Sequence, residues 1–212
     1  MRKGIRTSAR IVTGLVLPLI SMTPFEALDL SRAEFERRLR DIGAADWGLP
    51  TPCADWSVWE LVNHVVGGAR RYTMLLHGAD TAVVDATRAL DHISPEPLKA
   101  FRSVSEDMVA AFHEPNALQR TVQHRAGARS GRELLEMRVL EFTVHGWDLA
   151  RAIDVDAAMS PQLIEVVLRR LDSSHPDRAG HDSFDRPRGD LPVGASRQAR
   201  LLHLTGRDPR SK

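Results

Sequence analysis

Several residue types are scarce in this sequence, and each scarcity removes a class of protein. A single cysteine, Cys53, in 212 residues leaves no intramolecular disulfide framework and no multi-cysteine zinc site. Lysine occurs only at positions 3, 99 and 212, so the positive charge is nearly all arginine. Neither sign of charge dominates: 29 basic and 28 acidic side chains give a formal net charge of +1. Without a basic excess or a basic stripe, nucleic acid is not an expected partner. Aromatic residues make up only 5%, and long alternating apolar runs are missing, which argues against a strand-rich fold. No apolar run is long enough to cross a bilayer, so a membrane is not an expected partner either. Gly-rich phosphate loops, Gly-x-Ser-x-Gly elbows and His-Glu-x-x-His metal motifs do not occur.

What is there suits a globular domain with a buried core: 42% hydrophobic and 27% charged residues. Residues 1–21 stand apart. Arg2, Lys3, Arg6 and Arg10 precede an apolar run at 11–20, imitating a short signal peptide, yet no small-x-small cleavage site follows. Met22 opens Met-Thr-Pro-Phe-Glu, in which Thr23 caps a helix, Pro24 suits its first position and Glu26 completes a capping box. Residues 1–21 are therefore read as a leader or as the product of a mis-assigned start. A start at Met22 makes the domain cytoplasmic.

Helix signals recur from there on. A first helix is expected over 24–41, with Phe25, Leu28, Phe35 and Leu39 as its inward stripe. Ser57-Val-Trp-Glu60 is a capping box for a second helix reaching about residue 77, stopped by Gly78. A long polar link leads to Ser94-Pro95, which is expected to open a third helix ending before Pro115. Ser130-Gly-Arg-Glu133 opens a fourth, to about residue 152, and Ser160-Pro161 a fifth. From 173 to 195 the composition turns to Asp, Arg, Gly, Pro and His and reads as a loop, followed by a short helix over 197–204. The expected architecture is all-α: four long helices packed as a bundle over 22–172, then 173–212 as a polar loop with a short helical C-terminal extension.

The chemistry concentrates on the fourth helix, in Glu141-Phe-Thr-Val-His145-Gly-Trp-Asp148. A spacing of four puts Glu141 and His145 one turn apart on one side. At about 100° per residue, Leu134, Met137 and Val144 fall within roughly 60° of Glu141, so both polar groups point inward. A buried carboxylate needs a cation, a donor network or a proton. Two readings follow: Glu141 and His145 hydrogen-bond to each other, or both hold a metal ion. A metal would need a third ligand from another helix, and His64, at the edge of the stripe Leu61, Val65 and Tyr72, is the best candidate. His64 alone also reads as a satisfied structural histidine. Gly67-Gly68 just after it permit close helix approach. Arg71, seven residues on, reads as a carboxylate partner or as a structural arginine. Cys53 reads as packed rather than nucleophilic, and Trp147 and Asp148 as supports of the site or of the core.

Two longer segments carry a resemblance. Thr51-Pro-Cys-Ala-Asp-Trp-Ser-Val-Trp-Glu-Leu-Val-Asn-His64-Val-Val-Gly-Gly resembles the approach to the first metal-binding histidine of the DinB-like, mycothiol-dependent maleylpyruvate isomerase family, N-terminal type. Leu140-Glu141-Phe-Thr-Val-His145-Gly-Trp-Asp-Leu-Ala-Arg-Ala resembles its second signature, and Arg200-Leu-Leu-His-Leu-Thr-Gly-Arg-Asp-Pro209 its usual close. The resemblance implies a DinB-like four-helix bundle and one divalent metal, usually zinc, on His64, Glu141 and His145. It also implies mycothiol as a small-molecule thiol cofactor and a small electrophilic substrate, in an isomerase or a thiol S-transferase. It assigns no catalytic or thiol-binding residue and leaves an oligomer open. The alternative is a non-catalytic metal-binding sensor or stress protein on the same bundle.

Overall fold

The computed structural model describes residues 22–54, 56–173, 184, 187, 190, 191 and 193–209. The leader at 1–21 and most of the polar stretch after residue 173 lie outside them. The described chain is mostly helical. Its elements are α1 (Pro24–Arg40), α2 (Val58–Leu76), the short α3 (Thr81–Ala86), α4 (Pro97–His113), β1 (Thr121–His124), β2 (Gly127–Ser130), α5 (Gly131–Ala152), α6 (Pro161–Ser173) and α7 (Arg197–Leu204).

Local chemistry sets most of the helix starts. Thr23 with Glu26, Ser57 with Glu60 and Ser130 with Glu133 each form the reciprocal box expected of them, the hydroxyl accepting from the third amide and the carboxylate accepting from the cap's own. Each box satisfies two amides that the helix cannot. α4 opens two residues later than expected, with Pro97 rather than Pro95 in its first turn. The polar link before it is not featureless, because Asp80 caps α3 by accepting from the Ala82 amide. The second correction is the antiparallel hairpin β1–β2, paired Thr121↔Ser130 and Val122↔Arg129, which adds a small sheet to an expected all-α chain. Its strands are four residues each, too short to show a period, and only Val122 is buried.

α1 packs on α5 and α2 on α4, and α5 touches α1, α2 and α6 at once. That centrality explains why every residue from 137 to 150 is buried. A helix enclosed on all sides loses its polar face. Phe35 of α1, Phe101 of α4 and Phe142 of α5 meet at the middle with ring centroids 5.2, 5.9 and 5.7 Å apart, tying three helices together by aromatic packing. Among the described residues, no helix is long and apolar enough to cross a membrane.

The hairpin feeds α5 through a tight junction. The Gly131 amide donates to the Arg120 carbonyl at 2.9 Å, and a β-carbon added at Gly131 would stand 2.0 Å from the Ala117 carbonyl oxygen. Gly131→Ala is expected to cost about 1–3 kcal/mol, measured by denaturant unfolding. Gly48→Ala, whose added β-carbon meets nothing within 4 Å, is the control that stays near wild type.

Candidate metal centre

Because α5 is enclosed, each of its polar side chains must find a partner inside the protein or bind something there. Thr143 donates back to the Val139 carbonyl at 2.7 Å. Arg138 donates to the Val65 carbonyl at 3.2 Å. Glu141 meets α2: His64 Nε2 lies 3.2 Å from its Oε2. His145 is fully buried, and its two ring nitrogens differ sharply. Nδ1 is hydrogen-bonded to Asp148 Oδ2 at 2.9 Å, which orients the ring. Nε2 is buried with no hydrogen-bond partner. Its distance to Glu141 Oε2 is 3.8 Å, beyond hydrogen-bond range. Glu141 and His145 therefore do not hydrogen-bond to each other directly, although they stand at ion-pair distance.

His64, Glu141 and His145 thus converge from α2 and α5, each offering one ligand atom within 4.8 Å of the others. Two imidazoles and a carboxylate are a donor set suited to zinc. A buried ring nitrogen without a hydrogen bond, beside a carboxylate and a second imidazole, is a donor set that fits a divalent metal. Burial drives the His64 imidazolium toward its neutral form, against the pull of Glu141. Burial alone would raise the Glu141 carboxyl, but the hydrogen bond from His64 and the positive groups around it hold it well below the usual range. Neutral imidazole and ionised carboxylate are the forms that ligate metals.

A second set, Cys53, His145 and Asp148, is equally compact, but its atoms are already committed. Arg207 donates to both Asp148 oxygens, at 3.1 and 2.7 Å, and to Cys53 Sγ at 2.9 Å. The Cys53 thiol donates to Asp148 at 3.2 Å. Burial, reinforced by Asp148, pushes the Cys53 thiol up, so it stays protonated and is a poor ligand or nucleophile. Asp148 and Arg207 instead form a buried support behind His145.

The aromatic lining is supplied by loops. Thr51 pins its own loop, its amide and hydroxyl donating to the Trp56 carbonyl at 3.0 and 2.9 Å. That places the Trp56 ring 4.5 Å from His64 and 5.9 Å from His145, while Phe184 stacks on His145 at 5.3 Å. On the other side His64 and Glu141 face a cleft roofed by α3 and the hairpin, lined also by Arg71, Tyr72 and Arg138. Gly67 and Gly68 do not bring helix backbones together as expected. Added β-carbons there would meet His92 and the guanidiniums of Arg71 and Arg138 instead.

Sequence reasoning singled out His64, Glu141 and His145, and the fold gathers all three. It assigned no role to Arg207, although it quoted the segment that carries it. The place of Arg207 directly after Gly206 in that segment was the available signal. Phe184 lay in a stretch whose composition gave none.

An enclosed helix bearing a carboxylate and a histidine one turn apart, faced by a histidine from a second helix, defines a helical protein with a candidate metal pocket. Residues 28–150 match the family model of the mycothiol maleylpyruvate isomerase N-terminal domain, and the chain belongs to that family. Two uncharacterised proteins of Mycobacterium tuberculosis, from strains H37Rv and CDC 1551, are each 26% identical over 142 residues, covering 67% of this chain and 74% of theirs. The crystal structure of the mycothiol-dependent maleylpyruvate isomerase shares the fold with a TM-score of 0.54 at 21% identity, over 70% of this chain. A point mutant of that enzyme gives 0.57 at 19%. The chain spans 66% of the length of that enzyme.

Proposed function

We propose that His64, Glu141 and His145 hold one divalent metal ion, zinc by donor type, at the centre of a DinB-like four-helix bundle formed by α1, α2, α4 and α5. The protein would work there with a small-molecule thiol, mycothiol, on a small electrophile, as an isomerase or a thiol transferase. The observation that carries the metal is the buried, partnerless Nε2 of His145 facing Glu141 and His64. The family supplies the thiol and the class of reaction.

A bound divalent metal supplies one thing: it favours the thiolate form of a thiol near neutral pH. The chain's own residues do the rest. Asp148 orients the His145 ring, and Arg207 keeps Asp148 ionised and oriented. Trp56 and Phe184 cover the imidazoles and keep water from that side. Three protein ligands leave room for an exogenous group, which favours catalysis over a closed structural site. The cleft beside His64 and Glu141 is the way in for that group.

Elemental analysis of the purified protein tests the metal. Roughly one metal per chain is expected, lost in both His64→Ala and His145→Ala. No metal even after reconstitution with zinc would remove the reading. Turnover separates the enzyme from a metal-binding sensor or stress protein on the same bundle. The enzyme requires mycothiol-dependent conversion of an electrophile such as maleylpyruvate, abolished by chelation. Full thiol-dependent turnover by the metal-free protein would contradict a role for the metal.

A further inference from the structure

The cleft beside the proposed metal ligands has a second wall that the metal does not use. Arg71 is only 6% exposed, and its one hydrogen bond is from Nη2 to the His64 carbonyl at 3.5 Å, the limit of a weak contact. Arg138, 1% exposed, reaches the Val65 carbonyl at 3.2 Å, stacks over Phe142 and Tyr72 at 4.4 and 5.6 Å, and leaves Nε without a partner. Two buried guanidiniums, Arg71 of α2 and Arg138 of α5, thus line the same cleft. Both feel the charge of Glu141, but that carboxylate is already faced by His64 and His145. Asp85, across the cleft, is taken by Arg88 at 2.9 Å.

A buried cation ordinarily has a counter-ion, because water no longer stabilises it. Arg71 is buried with a single weak contact to a backbone carbonyl and lines the cleft with two further arginines, Arg88 and Arg138. A divalent metal on Glu141 would use up the one negative charge both arginines share and leave the wall more positive still. The helix has also been cut away to seat these groups. An added β-carbon at Gly67 would come within 2.5 Å of the His92 ring and 2.8 Å of Arg71 Nη1, and one at Gly68 within 2.4 Å of Arg138 Nη1. Adjacent glycines inside a helix are unfavourable on their own account, so their presence marks the space as needed. The planar fork of an arginine matches an oxyanion with two parallel hydrogen bonds.

We propose that Arg71 and Arg138, with Tyr72 beside them, form an oxyanion-binding site next to the metal ligands, which holds a carboxylate or phosphate group of the small molecule acted on. The assignment rests on the metal-centred reading for its meaning, but its binding chemistry does not depend on the metal. Arg71 is the specificity-determining residue, since it lines the cleft together with Glu141 and the outer arginine, Arg88.

Calorimetric titration with malonate and with inorganic phosphate tests this, on zinc-loaded wild type and on Arg71→Ala, Arg71→Lys and His64→Ala. Arg71→Ala is expected to weaken at least one probe about tenfold or more, with zinc content unchanged. Arg71→Lys keeps the charge but loses the fork, and falls between the two. If Arg71→Ala does not fold, Arg71→Lys decides. A preference for malonate marks a carboxylate ligand, and a preference for phosphate marks a phosphate ligand. His64→Ala, without metal, still binds the probe if the site is built by arginine. Equal binding by wild type and the Arg71 variants, or no binding to wild type, overturns the proposal while leaving the metal content to stand or fall by its own measurement. Retained Arg71-dependent binding in a protein that never takes up metal would keep this site and remove the metal reading.

Discussion

Arg207→Ala is expected to destabilise the protein by about 3–5 kcal/mol, because it leaves the carboxylate of Asp148 buried with no counter-charge. Asp148 is fully buried and the arginine is 7% exposed, so water can replace nothing that is lost. The measurement is urea unfolding with Arg200→Ala as the control. Arg200 also pairs with an aspartate at 2.8 Å, but both side chains are about half exposed, and that pair is worth less than about 1 kcal/mol. A loss of the same size in both variants would show that the buried pair is no special support.

The same pair fixes a pH dependence. Burial pushes the Asp148 carboxyl up, but Arg207 and the hydrogen bonds from His145 and Arg207 outweigh it and hold the group at about 2, below its ordinary 3.8. A depressed carboxyl contributes stability that is complete above its unfolded value and vanishes as pH falls through the folded one. The contribution, about 2 kcal/mol, is therefore lost between roughly pH 4 and pH 2. Wild type loses this increment on acidification and Asp148→Asn does not.

The second large effect concerns the metal. Zinc at a hundred times its dissociation constant is expected to raise the unfolding free energy of wild type by about 2.7 kcal/mol, since only the folded chain brings the three ligands together. His145→Ala and Glu141→Ala should show no zinc-dependent rise. Thermal unfolding with zinc and with chelator makes the comparison. A rise in either variant equal to that of wild type would place the zinc elsewhere.

What could be read from the sequence was what is local. Each capping box is a contact within four residues, so Thr23, Ser57 and Ser130 announce their helices without any tertiary information. Glu141 and His145 share a helix face by spacing alone. The convergence of His64 on them needed a second helix to arrive at the right depth, so its stripe-edge position and the family resemblance made it a candidate without showing the contact. Elements whose stability is tertiary were missed. The hairpin at 121–130 is held by α2 and α5 rather than by strand propensity, and α3 is six residues long. The setting of His145 was invisible for the same reason: its ring is held by Asp148 three residues away, which is held in turn by Arg207, 59 residues beyond that aspartate. Gly67 and Gly68 show the converse error. A small-residue pair reads as helix contact, and the fold uses it to seat arginines.

Arg207 reaches back across most of the chain to Cys53 and Asp148, and this has a consequence for synthesis on the ribosome. A nascent chain that has emerged as far as residue 173 already carries every proposed ligand and the whole of α5, yet holds Asp148 with no cation behind it. The pocket can then settle only once Arg207 has emerged as well. A product cut short before Arg207 is left with an unstable core, exposed to proteolysis, instead of persisting as a half-working copy.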